Sequence, residues 1–157
     1  MVCFYTEYRS SRRENSFVKL RRKVENSVIV TGASGFVGRK LVTKFRDAGY
    51  RTTALDITNP KIEGIEFIEC DIGQEIEIDQ NKIPTGAIFV HLAALSTDNL
   101  CKAAPKKALE VNLVGTTRVA ELATQASASQ LIFASSEWVY PENTEVLLQT
   151  EADTLSL

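Results

Sequence analysis

Thr31-Gly32-Ala33-Ser34-Gly35-Phe36-Val37-Gly38 is the stretch of this chain whose residue types and spacing can do chemistry most directly. Glycine at the first position allows a tight turn, at the second lets a phosphate approach the backbone, and at the third lets a helix pack closely on a strand. A helix beginning here presents unpaired N–H groups and a positive dipole end, so the chemistry is the binding of a diphosphate. Gly32, Ser34, Gly35, Phe36, Val37 and Gly38 are therefore candidate cofactor contacts. Asp56 lies 18 residues past Gly38. There a carboxylate can accept hydrogen bonds from both hydroxyls of an adenosine ribose, and its charge repels a 2′-phosphate, which predicts NAD in preference to NADP. The competing reading is an Asp that caps the turn before Thr58-Asn59-Pro60.

These residues need elements to hold them. From residue 27 the chain alternates short β-branched or apolar runs with longer helical patterns, as βαβ units of a parallel sheet do. Ser27 to Thr31 reads as the first strand. Phe36 to Ala48 reads as a helix, because Phe36, Val37, Leu41, Val42 and Phe45 recur at helical spacing and Gly49 supplies a stop. Arg51 to Asp56 and Glu66 to Cys70 read as the next two strands. Residues 73–84 alternate as a strand would, yet they occupy a slot that more often holds a short helix. Ala87 to Ala93 is the most apolar strand and belongs in the middle of the sheet. Pro105 opens a long helix reaching about Ala126, and Gln130 to Ser135 reads as the fifth strand. The expected fold is a doubly wound α/β parallel sheet of the Rossmann type, ending after about five strands.

Composition narrows the class. In 157 residues, 44% are apolar and 24% charged, which is ordinary for one soluble domain. No apolar run is long enough to span a bilayer and no secretory signal is evident, so a cytoplasmic protein without a membrane partner is expected. Cys3, Cys70 and Cys101 form no CxxC pair, so neither a metal site nor a disulfide framework is indicated. The formal net charge of −2 gives no case for nucleic acid. Residues 1–26 are basic, with Arg9, Arg12, Arg13, Lys19, Arg21, Arg22 and Lys23 against three glutamates. They read as a solvated, partly helical or disordered extension, or as an arm for anionic lipid or RNA.

The GxxGxxG spacing of TGASGFVG after VIV resembles the cofactor loop of the short-chain dehydrogenase/reductase superfamily, in its extended branch of NAD-dependent nucleotide-sugar epimerases and dehydratases. Further matches follow in order: ALDI, CDI, HLAA, VNLVGT and FASSEWVYP. The resemblance covers residues 27 to about 150 and implies NAD as cofactor and a nucleotide sugar as substrate. It implies that Asp71 and Ile72 border the adenine, although an Asp commonly ends a strand. It also implies that Leu92, Ala93 and Ala94 line the cofactor, and that Asn112 holds the backbone beside the active site, against the plainer reading of an exposed helix Asn. Ser136 takes the position of the catalytic Ser/Thr that hydrogen-bonds the substrate oxygen, against the reading of a strand cap. His91, the only histidine, reads as a satisfied structural residue, and Lys106 and Lys107 as a solvated face.

Two departures matter. The dehydratases carry an acidic pair after the Ser/Thr, and here only Glu137 of Glu137-Trp138 is acidic. The family's base is the tyrosine of a YxxxK motif, but Tyr5, Tyr8, Tyr50 and Tyr140 are followed four residues on by Arg9, Arg12, Ala54 and Thr144. The expectation is an epimerase or dehydratase fragment holding the cofactor portion, 27–157, with a non-catalytic NAD(H)-binding module or sensor as the alternative. An apolar sheet edge after the fifth strand would favour a homodimer or marginal stability.

Overall fold

The structure, a computed structural model, describes residues 3, 4 and 26–136. Among the described residues six strands form one sheet: β1 (Cys3–Phe4), β2 (Ser27–Thr31), β3 (Arg51–Asp56), β4 (Glu66–Glu69), β5 (Ile88–His91) and β6 (Gln130–Ala134), in the order β1-β6-β5-β2-β3-β4. β2 to β6 run parallel, and β1 pairs antiparallel with β6 through Cys3 opposite Ala134 and Phe4 opposite Phe133. The edge of β6 expected to be bare thus carries a two-residue strand from the basic extension. Residues 5–25 and 137–157, including Glu137, Trp138 and Tyr140, lie outside the described residues.

Successive side chains of a strand face opposite sides of a sheet, and both sides here are covered. Val28, Val30, Ala54 and Val90 pack with Val42, Leu41 and Phe45 of helix α1 (Phe36–Asp47). Ile29, Leu55 and Phe89 point the other way, into a larger cluster with Val119, Leu122 and Ala123 of helix α4 (Thr116–Gln125). That two-sided burial explains why β2 and β5 read as continuous apolar runs. Phe36 and Val37 depart from the helical-face reading: they stand 80% and 43% exposed at the open end of α1, outside the core.

The helix expected from Pro105 is interrupted. α3 (Pro105–Leu109) passes into a π-helical turn, Glu110–Gly115, before α4 begins. Val111 and Gly115 of that turn are buried. A Cβ on Gly115 would lie 2.9 Å from Ile72 Cγ1, so glycine lets the turn close on the loop after β4. Another helix, α2 (Asp98–Ala103), precedes α3, and the Thr97 side chain accepts from Leu100 N at its start. Residues 73–84 hold only a 3₁₀ turn, Gln80–Lys82, capped by Asp79. Ile76 and Ile78 lean on the core from this loop, which accounts for its strand-like alternation. Among the described residues no helix is long and apolar enough to cross a membrane.

Candidate dinucleotide cleft

The chain order of strands reverses beside β2, whose neighbours are β3 and β5. In open parallel sheets the crevice beyond the carboxyl ends at such a point receives ligands. A cleft of about 420 Å³ opens there, and Gly32, Ser34, Gly35, Phe36, Val37, Gly38, Asp56, Asp71, Ile72, Leu92, Ala93 and Ala94 all line it. Asn112 and Ser136 do not.

The three glycines have different physical reasons. Gly32 has φ +67°, and a Cβ there would fall 2.7 Å from Ala93 N. At Gly38 a Cβ would fall 2.1 Å from Gly32 O, so the helix could not sit on the turn. Gly35 differs: its Cβ would meet only Gly32 O, at 3.3 Å, and the residue is exposed. The fold demands glycine at 35 less than at 32 or 38, since the Gly32 carbonyl would have to give by only a few tenths of an ångström, and a ligand approaching the loop backbone would add to that demand.

Gly35 is the N-cap of α1 and supplies no side-chain hydrogen bond, and the first turn carries no acidic residue. The first bond back to the cap is Arg39 N to Gly35 O at 3.0 Å, so the amides of Phe36, Val37 and Gly38 have no intrahelical acceptor. This positive end is left for an anion. Lys40 Nζ lies 4.2 Å from the centre of the Phe36 ring, adding a cation above the exposed aromatic at the mouth.

Asp56 fills the turn-capping role weighed from sequence. Its Oδ2 accepts from Ser34 N at 2.9 Å and its Oδ1 from Thr58 N at 3.0 Å. One buried carboxylate thereby ties the glycine loop to the turn after β3. A carboxylate has about four acceptor sites, so two remain for hydroxyls in the cleft. Asp71 likewise shapes its own turn, accepting from Gly73 N at 2.9 Å, and lies 4.0 Å from Lys107 Nζ. Lys107 therefore lines the cleft rather than belonging to a wholly solvated face. Cys70 was missed as a lining residue. Burial and the Asp71 charge push its thiol pKa up, so it faces the cleft as a neutral group.

The wall of Leu92 to Leu95 is held from both ends. Thr31 Oγ1 accepts from Leu92 N and Ala93 N, each at 3.2 Å. At the far end Asn112 Oδ1 accepts from Leu95 N at 2.8 Å while its Nδ2 donates to Leu95 O at 3.0 Å. Asn112, which the resemblance groups with the cofactor loop as a holder of backbone, bonds Leu95 through both ends of its amide. The π turn aims it there, an example of such turns marking working parts of helices.

His91 is only 2% exposed, bonded on both ring nitrogens, and sits 5.6 Å from the Phe133 ring. Burial lowers its pKa from 6.5 to about 4. Between those values the unfolded chain binds a proton that the folded chain refuses. Stability is therefore full above about pH 6.5, falls as pH drops, and levels off near pH 4. Urea unfolding is expected to show about 2 kcal/mol lost between pH 7 and pH 5 through this group. A His91→Phe variant should lack that slope, and an identical slope in the variant would refute the assignment.

Ser136 follows β6 at the same carboxyl edge of the sheet as Asp56 and His91, and it is exposed. Glu137, the acidic residue that follows it, lies outside the described residues.

Comparison with known proteins supports this geometry. Residues 28–156 match the model of the family described as NAD dependent epimerase/dehydratase. The UDP-glucose 4-epimerase of Dictyostelium discoideum is 28% identical over 130 residues, covering 74% of this chain and 38% of that protein. A structure of MoeE5 in complex with UDP-glucose and NAD superposes with TM-score 0.70 and 27% identity, over 83% of this chain and 42% of the other. The Thermus thermophilus UDP-glucose 4-epimerase complex with NAD gives TM-score 0.69 and 25% identity, over 83% and 44%. The chain thus spans under half the length of these relatives. A glycine turn between β2 and α1, an acid at the end of β3 and a family match over residues 28–156 converge: this chain belongs to the NAD dependent epimerase/dehydratase family.

Proposed function

We propose that the chain binds NAD in the cleft and forms the cofactor-binding portion of an oxidoreductase-type epimerase or dehydratase acting on a nucleotide sugar. The observation that carries this reading is the uncapped start of α1 beside Gly35, a position where the protein's own packing demands glycine less than at Gly32 or Gly38. The amides of Phe36, Val37 and Gly38 would hold the diphosphate, Asp56 the adenosine ribose, and Asp71 with Ile72 the edge of the adenine. Leu92, Ala93 and Ala94 offer small or apolar surface to the nicotinamide half. NAD, when bound, supplies a hydride acceptor that can return the hydride. Ser136, on the same sheet edge, would donate a hydrogen bond to the sugar oxygen at the carbon being oxidised. That MoeE5 and the Thermus enzyme are complexes with NAD supports the cofactor, and the UDP-glucose in the former supports the substrate class.

Calorimetric titration of the full chain tests the cofactor reading. NAD should give a saturable one-to-one isotherm, with NADP at least about tenfold weaker, because the 2′-phosphate would meet the Asp56 carboxylate. Absence of heat with NAD, or tighter binding of NADP, would overturn it.

A further inference from the structure

We infer that His91 is a positioning residue for the nicotinamide-facing wall of the cleft, acting as a neutral imidazole whose single proton sits on Nε2. The inference rests on the NAD reading above and adds a residue that touches no ligand.

The proton's place follows from partners on both sides. Thr116 Oγ1 donates to Asn112 O at 2.7 Å, and a carbonyl cannot return a proton. The same hydroxyl lies 3.0 Å from His91 Nε2, so there it must accept, and Nε2 carries the hydrogen. On the other side, Thr31 Oγ1 accepts from Ala93 N and shares the Leu92 amide with the Thr31 carbonyl. Its own hydrogen can point at His91 Nδ1, 2.6 Å away, which a neutral ring protonated on Nε2 leaves bare. The Thr116 end fixes the tautomer, and the Thr31 end accommodates it.

The chain of bonds therefore has one direction. It runs from Thr31, at the start of the glycine turn, through His91 to Thr116 and on to the Asn112 carbonyl. From Asn112 the side-chain amide reaches Leu95. One imidazole thus joins the diphosphate turn to the wall of Leu92 to Leu95, gripping that wall near both ends. An imidazolium would carry a second proton facing the Thr31 hydroxyl hydrogen and would break the order, and burial opposes that form.

As the chain has a single histidine, its imidazole ¹⁵N spectrum needs no assignment by mutation. The full chain near neutral pH should show a protonated Nε2 and a bare Nδ1, and the opposite tautomer overturns the inference. Thr116→Val leaves the Nε2 hydrogen without its acceptor and should weaken NAD binding by about tenfold, with the imidazole signals displaced. Thr116→Ser should restore both. Unchanged NAD affinity in a folded Thr116→Val chain, or failure of Ser to rescue, also overturns it. If the parent shows the expected tautomer yet binds no NAD, the cofactor reading falls and the positioning role with it.

Discussion

Replacing Asp56 with Asn is expected to move the NAD-to-NADP affinity ratio by about a hundredfold towards NADP. Two terms act in the same direction. NAD loses charge-assisted hydrogen bonds from its ribose hydroxyls, each worth about 1.5–3 kcal/mol. NADP loses a repulsion between two anions held within a few ångströms, which in a solvent-open cleft is about 1 kcal/mol. Asn keeps one side-chain oxygen and can still accept from Ser34 N or Thr58 N, though not from both as the carboxylate does. A fall in stability of about 1 kcal/mol is therefore expected and can be measured separately by urea unfolding. Paired titrations of parent and variant decide the matter: equal losses for the two nucleotides would show that Asp56 serves only the turn.

The strands were readable where a β-branched run lies between clear punctuation. Ser27–Thr31 and Arg51–Asp56 have the bounds expected of them, because the glycine turn and Gly49 fix their flanks. Phe36 and Val37 fit the helical period yet face the cleft, since periodicity marks a helix and not which apolar residues a ligand will cover. The π turn left no local signal: Glu110–Gly115 reads as helix by composition, and what distorts it is tertiary, the closure on Ile72 and the pull of Asn112 towards Leu95. Lys107 likewise reads as surface until α3 brings it to 4.0 Å from Asp71. β1 is two residues long and has no period to detect; only the edge of β6 makes it a strand. The His91 network joins residues 60 and 25 positions apart, a span no window on the sequence covers.

The reading of the cleft depends on the difference between Gly35 and its two fellow glycines. Gly32 and Gly38 are required by the fold, because a side chain at either would collide with backbone within 3 Å. Substituting them would unfold the loop and say little about a ligand. At Gly35 the backbone has φ −68° and ψ 172°, which any residue adopts, and an added Cβ meets only one carbonyl oxygen at 3.3 Å. A branched side chain there adds bulk beside the α1 amides and costs the fold about 1 kcal/mol, through the close approach to Gly32 O and the poorer helix cap. The bonds it would deny a diphosphate are charge-assisted and worth more than that each.

Gly35→Val, titrated with NAD beside the parent and melted in parallel, therefore tests the central claim most directly. The expected result is at least about a hundredfold loss of NAD affinity, equivalent to roughly 2.7 kcal/mol, with a melting temperature within a few degrees of the parent. A valine variant that remains folded and binds NAD as tightly as the parent would show that the diphosphate does not rest on these amides.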